Sequence, residues 1–246
     1  MPRFFVLGEN IDREAGRIVI SGDDSRHIAR SLRMAVGDEV TVSDGEGLDY
    51  ECELMRIRDE ECELRIISSD KGKGEPPCEI TLYMAYPKGD KLELIVQKAV
   101  ELGATRVVPF VSERCIKRPQ ADRQDKQTAR LCRIAYEASK QCGRSRLAEV
   151  LPPIQYRDVL EALPGHTLSL FCYEGKGTLP LKDVLSSMEC PESIAVIVGS
   201  EGGFSEGEAE LAKNAGAVPV GLGPRILRCE TAPDYCLSAI SYAFEL

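Results

Sequence analysis

The chain has 246 residues, 43% of them hydrophobic, and a formal net charge of −9. This length is enough for one large domain or two modest ones with a buried core. No run is long and apolar enough to span a membrane, and the amino terminus lacks the apolar stretch of a signal peptide, so we expect a cytoplasmic protein with no membrane partner. The ten cysteines form no C-x-x-C pair and the two histidines are far apart, so we expect neither a metal site nor a disulfide framework.

The first part of the chain predicts a small antiparallel barrel. Alternation of apolar and polar residues indicates short strands at residues 17–20, 39–43, 50–55 and 61–67. A turn of sequence Asp-Gly-Glu-Gly separates the second strand from the third, as in small all-β barrels. Residues 68–77 are polar and rich in glycine and proline, which predicts a linker.

The rest of the chain predicts an α/β domain with a parallel sheet. Strands at residues 79–85 and 106–111 alternate with helical segments. Two more buried strands, at residues 194–198 and 218–222, are each followed by an irregular loop and a helix. The first of these helices begins with a capping box, Ser205 with Glu208, and we expect Thr231, with Asp234 three residues later, to cap the second. Ligands of open α/β sheets bind at this carboxyl edge.

The loop at residues 199–204 is rich in glycine, which lets the backbone approach a ligand closely. It contains neither the lysine step of a P-loop nor the G-x-G-x-x-G fingerprint of dinucleotide sites. Glu201 in its middle would repel a diphosphate or triphosphate. A ligand without phosphate and with some positive charge, such as S-adenosylmethionine, fits better, and the alternative is an ordinary tight connection.

Several segments resemble one enzyme family. VGSEGGFSEGE, from residue 198, and LGPRILRCETA, from residue 222, resemble the paired signature loops of the SPOUT methyltransferases. Residues 1–6, 30–40, 88–103, 112–115 and 137–144 are similar to further segments of the ribosomal RNA small subunit methyltransferase E family, in order along nearly the whole chain. The chain departs from the family at Ser200, usually proline, at Cys142, usually serine, and near Leu131, where tryptophan is common.

This resemblance implies a fold, an activity and a set of partners. Residues 1–72 would form a PUA-like β-barrel that binds RNA, and residues 73–246 a SPOUT α/β domain with a deep trefoil knot. The protein would be a homodimer that uses S-adenosyl-L-methionine to methylate N3 of a specific uridine in the 16S rRNA of the small ribosomal subunit. The cofactor would bind to residues of the two loops, namely Gly199, Glu201, Gly202, Gly203, Leu222, Gly223, Ile226 and Leu227.

The implied reaction assigns roles to two charged residues. N3 of uracil carries a proton and lies on the Watson–Crick edge, so the target base must be unpaired or splayed out. Arg228 would stabilise negative charge developing on uracil O2 or O4, and Glu230 would accept the proton, directly or through water. The alternative for Arg228 is an ion pair with Glu230 or Glu201 that only holds the loop in place.

Basic residues are unevenly distributed in this acidic chain. Residues 113–146 contain ten Lys/Arg against four Asp/Glu, and Arg26, Arg30 and Arg33 have the spacing of one helical face. We expect RNA phosphates to bind to six residues, namely Arg26, Arg30, Arg33, Arg114, Lys117 and Arg118. The alternative for each cluster is a solvated basic helix.

Three classes of function therefore compete. An S-adenosylmethionine-dependent rRNA methyltransferase accounts for both signature loops. A noncatalytic RNA-binding protein, or a SPOUT methyltransferase acting on another RNA, is the second possibility. A phosphate-ligand α/β enzyme is the third, and the missing P-loop lysine and the acidic Glu201 argue against it.

Overall fold

Two units make up the part of the chain that the computed structural model describes, which is residues 1–6, 8–58, 60–119 and 122–246. Unit 1 comprises Met1–Glu75 and Ser139–Leu147. Unit 2 comprises Pro76–Ala138 and Ala148–Leu246. A segment from the middle of the chain thus belongs with the amino-terminal residues.

Unit 1 is built on a six-stranded sheet. Its strands are β1 (Arg3–Phe5), β2 (Ile11–Asp12), β3 (Arg17–Ser21), β4 (Glu39–Ser43), β5 (Leu48–Ile57) and β6 (Glu61–Lys71), and a short helix, α1 (Gly22–Arg26), continues into a π-helical turn at His27–Ser31. The order across the sheet is β1-β4-β5-β6-β3-β2. Neighbouring strands are antiparallel except β1 and β4, which are parallel.

The four strands predicted in this unit are confirmed, but the predicted linker begins too early. β6 continues to Lys71, with Ser69 opposite Tyr50 and Lys71 opposite Leu48 of β5. Polar residues form this end of the strand because the backbone ladder, rather than burial of side chains, holds it in the sheet. The apolar core of the unit lies along the inner positions of the longer strands, where Ile18, Val40 and Leu54 are fully buried.

An ion pair anchors the segment Ser139–Leu147 in unit 1. The buried guanidinium of Arg144 donates to Glu75 Oε2 at 2.7 Å, and the backbone N–H groups of Ser145 and Arg146 donate to Glu75 Oε1 at 2.8 and 2.9 Å. Burial favours a higher pKa for Glu75, but these hydrogen bonds outweigh it and lower the pKa below its ordinary value. Arg144 thus contributes to the basic excess of residues 113–146 in the sequence, but in the structure its charge is buried and paired with Glu75.

Unit 2 contains a parallel sheet with helices between its strands, as predicted. The strands are β7 (Glu79–Ala85), β8 (Arg106–Val111), β9 (Glu149–Val150), β10 (Ile154–Gln155), β11 (Leu168–Cys172), β12 (Leu179–Pro180), β13 (Ser193–Val198) and β14 (Val218–Gly221). The helices are α2 (Lys91–Glu101), α3 (Gln124–Cys142, of which residues 139–142 belong to unit 1), α4 (Tyr156–Ala162), α5 (Leu181–Ser186), α6 (Glu206–Asn214) and α7 (Thr231–Phe244). The order is β10-β8-β7-β13-β11-β14-β12, and β9 also pairs with β8.

The sheet order brings two loops to the same edge. β13 and β14 both pair in parallel with β11, so the loops that follow them leave the sheet on the same side. Phe204, in the first of these loops, is buried against Phe171 of β11 with ring centroids 4.4 Å apart. The final helix α7 packs on α2, α5 and β13, and its Leu237 and Ile240 are buried.

Candidate active site

The first loop, residues 199–204, folds back on itself after β13. The N–H of Gly203 donates to the carbonyl oxygen of Ser200 at 2.9 Å, and Gly203 has a φ of +61°. This conformation is unfavourable for residues with a Cβ, which explains glycine at position 203. The predicted capping box follows. Ser205 Oγ accepts from Glu208 N at 3.2 Å, and the Glu208 carboxylate accepts from Ser205 N at 3.0 Å.

The second loop, residues 222–230, runs from β14 to α7. The prediction that Thr231 caps α7 is wrong, because Thr231 is the first residue of the helix and Glu230 occupies the N-cap position. Glu230 makes no side-chain cap hydrogen bond, since its carboxylate is paired with Lys91. The carbonyl oxygen of Arg228 instead accepts from the N–H groups of Thr231 and Ala232, at 2.9 and 3.0 Å.

A cavity of about 570 Å³ lies between the two loops. This volume is in the range of small-molecule sites. All the predicted cofactor residues except Gly202 line it, and so does Arg228. Further lining comes from the end of β11 and the chain beyond it, through Cys172, Tyr173, Glu174 and Thr178. No sequence pattern indicates this third wall, because it depends on β11 lying between β13 and β14.

Gly202 does not line the cavity, and a side chain at this position would point toward Arg114. A Cβ at this position would lie 2.9 Å from Arg114 Cβ and 3.1 Å from the Arg114 carbonyl oxygen. The Arg114 guanidinium also donates to the Gly202 carbonyl oxygen at 3.1 Å. Glycine is therefore required here by the close approach of the chain after β8, and a role for Gly202 in cofactor binding stays a prediction.

Lys91, the first residue of α2, forms the main charged contact of the cavity wall. Its Nζ lies 3.1 Å from Glu201 Oε1 and 2.9 Å from Glu230 Oε2. The hydrogen bond from Lys91 lowers the pKa of Glu230 below its ordinary value. Burial favours a higher pKa for Glu201, but hydrogen bonds from backbone N–H groups and from Lys91 outweigh it and lower the pKa. Both carboxylates are therefore ionised at neutral pH.

Lys91 is not among the site residues predicted from the sequence, although it lies in the family-like segment 88–103. A basic residue at the start of a predicted helix gives no indication of its partners. Arg228, the residue expected to pair with Glu201 or Glu230, is exposed and forms no ion pair with either among the described residues. Lys91 pairs with both carboxylates instead.

The Ser200 hydroxyl is another feature of the cavity that is not predicted from the sequence. Its side chain is buried, with 6% of the residue exposed, and it lines the cavity. Within the described ranges, its hydroxyl has no hydrogen-bond partner. Buried hydroxyls normally have one, so this group is available to a ligand.

The predicted RNA-binding residues of unit 2 lie in the chain that follows β8. Arg114 and Arg118 are exposed, while Lys117 is half-buried. Lys117 Nζ donates to the Gly89 carbonyl oxygen at 2.8 Å and lies 5.9 Å from the centre of the Tyr86 ring. Arg114 and Lys117 thus also make contacts within the unit.

The predicted RNA-binding residues of unit 1, Arg26, Arg30 and Arg33, are all exposed. The prediction that these three arginines lie on one helical face is wrong for Arg33. The helical stretch ends at Ser31, and Arg33 has a φ of +52°, in the left-handed region. Arg26 forms an ion pair with Asp23 on the same turn.

Metal sites and membrane-spanning helices are both absent from the described part of the chain. No group of three or more His, Cys, Asp or Glu side chains there is placed to hold a metal ion. Among the helices within the described ranges, none has both the length and the apolar character required to cross a membrane.

Comparison with known proteins identifies the class of protein. Residues 74–241 match the model of the RNA methyltransferase domain, and residues 20–67 match that of the RNA methyltransferase PUA domain. The ribosomal RNA small subunit methyltransferase E of Bacillus subtilis is 33% identical over 251 residues, covering 100% of this chain and 98% of the relative. The chain is therefore an RNA methyltransferase with a PUA domain.

Solved structures agree with this result. The ribosomal RNA small subunit methyltransferase E of Neisseria gonorrhoeae, bound to S-adenosyl methionine, has a TM-score of 0.85 at 32% identity, with 99% of this chain and 98% of that one covered. A putative methyltransferase of Legionella pneumophila with bound SAM has a TM-score of 0.84 at 28% identity, with 98% and 97% covered. The chain belongs to the ribosomal RNA small subunit methyltransferase E family, whose cofactor is S-adenosyl-L-methionine.

Proposed function

We propose that this protein transfers the methyl group of S-adenosyl-L-methionine to N3 of a specific uridine in the 16S rRNA of the small ribosomal subunit. The observation that carries the proposal is the cavity between the two loops at the carboxyl edge of the parallel sheet. Residues of both signature segments line this cavity. We infer the reaction from the family to which the chain belongs.

The chemistry of the cavity fits the proposed cofactor. The Ser200 hydroxyl, buried and without a partner among the described residues, offers a hydrogen bond to a polar ligand atom. The Glu174 carboxylate on the wall suits a ligand with positive charge. Glu201 is already paired with Lys91, and Arg225 and Arg228 add positive charge to the same lining. When bound, the cofactor supplies a methyl group on a positively charged sulfur. The backbone of the two loops would hold it, through lining residues that include Gly199, Gly203, Leu222 and Gly223.

The chain's own residues would orient the base, stabilise the negative charge that develops on it and accept its proton. Arg228 lines the cavity and is exposed, so its guanidinium is accessible to a uracil oxygen that becomes negative as N3 loses its proton. Glu230 is ionised and therefore able to accept a proton, but its pairing with Lys91 makes it a weak base. Because Glu230 is not part of the cavity lining, a water molecule would carry the proton to it.

RNA binding would involve both units. Residues 1–72 would form a PUA-like β-barrel and residues 73–246 the methyltransferase domain, and the matched ranges 20–67 and 74–241 support this division. The segment Ser139–Leu147, which belongs to unit 1, is the exception to it. Arg26, Arg30 and Arg33 in the first, with Arg114, Lys117 and Arg118 in the second, would bind phosphates. Their exposed or half-buried positions support that role.

We further propose that the carboxyl-terminal part of unit 2 forms a deep trefoil knot and that the protein is a cytoplasmic homodimer. The resemblance of the two loops to the SPOUT signature supports the knot. Tyr235 and Tyr242 of α7, which are 45% and 76% exposed, would belong to the face toward a second copy. Light scattering that gave a stable monomer at micromolar concentration would contradict the dimer.

Ligand binding tests the cofactor assignment against the phosphate-ligand alternative. S-adenosylhomocysteine should raise the thermal unfolding midpoint of the protein, and ATP should leave it unchanged. Isothermal titration calorimetry should give a single S-adenosylhomocysteine site per chain. Stabilisation by ATP alone would contradict the proposal.

A further inference from the structure

Lys91 connects two parts of the chain that are far apart in sequence. Its ammonium contacts Glu201 of the first loop and Glu230 of the second loop, at 3.1 and 2.9 Å. Residues of both loops line the cavity, and so does Lys91 itself. One side chain thus pairs with a carboxylate of each loop.

The contacts around Lys91 hold each carboxylate from more than one side. The backbone N–H of Lys88, just before α2, donates to Glu201 Oε1 and Oε2 at 3.2 and 3.3 Å. Cys229 Sγ donates to Glu230 Oε2 at 3.3 Å, and Lys91 Nζ lies 3.8 Å from Cys229 Sγ. Both carboxylates are therefore fixed relative to the start of α2.

Helix α2 is itself firmly anchored, which makes its first residue a suitable support. Its Leu92, Ile95, Val96 and Ala99 are buried. The side chains of Lys91, Glu201 and Glu230 are 34%, 28% and 20% exposed, so solvent screens their attraction only in part. Without the ammonium, two ionised carboxylates would lie close together in this partly buried place and repel each other.

We propose that Lys91 is a positioning residue that joins the two loops through Glu201 and Glu230 and so sets the width of the cavity between them. The inference rests on the proposed function in that this cavity holds the cofactor. Lys91 fixes the geometry of the walls, and the loop backbones contact the ligand.

Hydrogen–deuterium exchange of the ligand-free protein tests the joining of the loops without any cofactor. Lys91→Gln should increase exchange in both residues 199–204 and residues 222–230, because the ion pair that holds each loop is removed. Lys91→Arg, which keeps the charge, should restore protection in both. Lys98→Gln is the matched control, since Lys98 lies on the same helix, pairs with Glu101 at 2.7 Å and does not line the cavity.

Calorimetry with S-adenosylhomocysteine tests the consequence for the cavity. Lys91→Gln should weaken binding about tenfold or more, Lys91→Arg should bind within about threefold of wild type, and Lys98→Gln should bind as wild type does. The proposal is overturned if Lys91→Gln exchanges and binds like wild type, or if Lys91→Arg is no better than Lys91→Gln. Failure of the wild-type protein to bind S-adenosylhomocysteine would contradict the proposed function, while the exchange data would still decide whether Lys91 joins the loops.

Discussion

The guanidinium of Arg114 donates a hydrogen bond of 3.1 Å to the carbonyl oxygen of Gly202, and the Arg114 Cβ lies where a side chain at position 202 would have to go. This contact connects the chain after β8 to the first loop of the candidate active site. A second contact lies beside it. The N–H of Glu113 donates to Oε1 of the buried Glu208, the capping-box residue, at 2.8 Å. The shape of the first loop therefore depends on residues nearly ninety positions earlier in the chain.

Gly202→Val should abolish binding of S-adenosylhomocysteine while the protein stays folded. The new side chain would clash with Arg114 Cβ and the Arg114 carbonyl oxygen, so we expect the first loop to shift away from its position at the cavity. Calorimetry measures the affinity, and circular dichroism establishes the fold. Gly207→Ala is the control, because a Cβ there meets nothing closer than Ser205 Oγ at 3.9 Å. Unchanged affinity in folded Gly202→Val would show that this packing does not shape the cavity.

Ser200→Ala should weaken S-adenosylhomocysteine binding by about 2- to 10-fold, the usual value of one neutral hydrogen bond. The thermal midpoint of the ligand-free protein should not fall, because the hydroxyl has no hydrogen bond to break among the described residues. Ser169→Ala should behave in the opposite way. Ser169 is buried and donates to the Leu163 carbonyl oxygen at 3.4 Å, so its replacement should lower the midpoint and leave the affinity as it was. Equal affinity of Ser200→Ala and wild type would exclude a contact with the ligand.

Several of these features could be predicted from the sequence because they depend on local patterns. The capping box at Ser205, the buried strands and the loops at the sheet edge depend on residues close together in the chain. The predicted cap at Thr231 is wrong because the neighbouring Glu230 carboxylate binds Lys91, about 140 residues earlier. The place of residues 139–147 in unit 1 depends on the pair of Arg144 with Glu75, and such long-range contacts leave no local signal.

Arg228→Ala should reduce single-turnover methylation by about 10²-fold or more with enzyme and cofactor saturating, if the guanidinium stabilises charge on the uracil. Binding of RNA and of S-adenosylhomocysteine should be close to wild type, since this interaction strengthens only as N3 loses its proton. Arg157→Ala, an exposed arginine of α4 paired with Asp158, is the control. Near-normal methylation by Arg228→Ala would remove Arg228 from the catalytic residues.

The double variant Arg30→Ala/Arg33→Ala should weaken RNA binding and flatten its dependence on salt. Removing one arginine–phosphate interaction reduces the slope of log affinity against log salt by about 0.7 to 0.9. Cofactor affinity should not change, because both residues belong to unit 1 and the cavity is lined by unit 2. Arg56→Ala serves as the control, since Arg56 is an exposed arginine of unit 1 that pairs with Glu63. Normal RNA binding with an unchanged slope would exclude these two arginines as phosphate ligands.

Glu75→Gln should lower the stability of the protein at neutral pH and make its stability less sensitive to acid. The pKa of Glu75 is lowered in the folded state, so its contribution is fully present above the pKa of the unfolded chain and is lost as pH falls through the folded value. Thermal midpoints measured from neutral to acidic pH should therefore converge between wild type and Glu75→Gln. The exposed Glu14→Gln is the control. Parallel curves for wild type and Glu75→Gln would contradict the role of the Arg144 pair.

Mass spectrometry of nucleosides shows directly whether this protein methylates N3 of a uridine in 16S rRNA. Small ribosomal subunits and naked 16S rRNA that lack the modification are incubated with the purified protein and S-adenosyl-L-methionine, and the rRNA is then digested to nucleosides. A new N3-methyluridine should appear in 16S rRNA, depend on the cofactor and be strongly reduced with Arg228→Ala. Absence of any methylated nucleoside in both substrates, or a methyl group on a different nucleoside position, would contradict the proposed function.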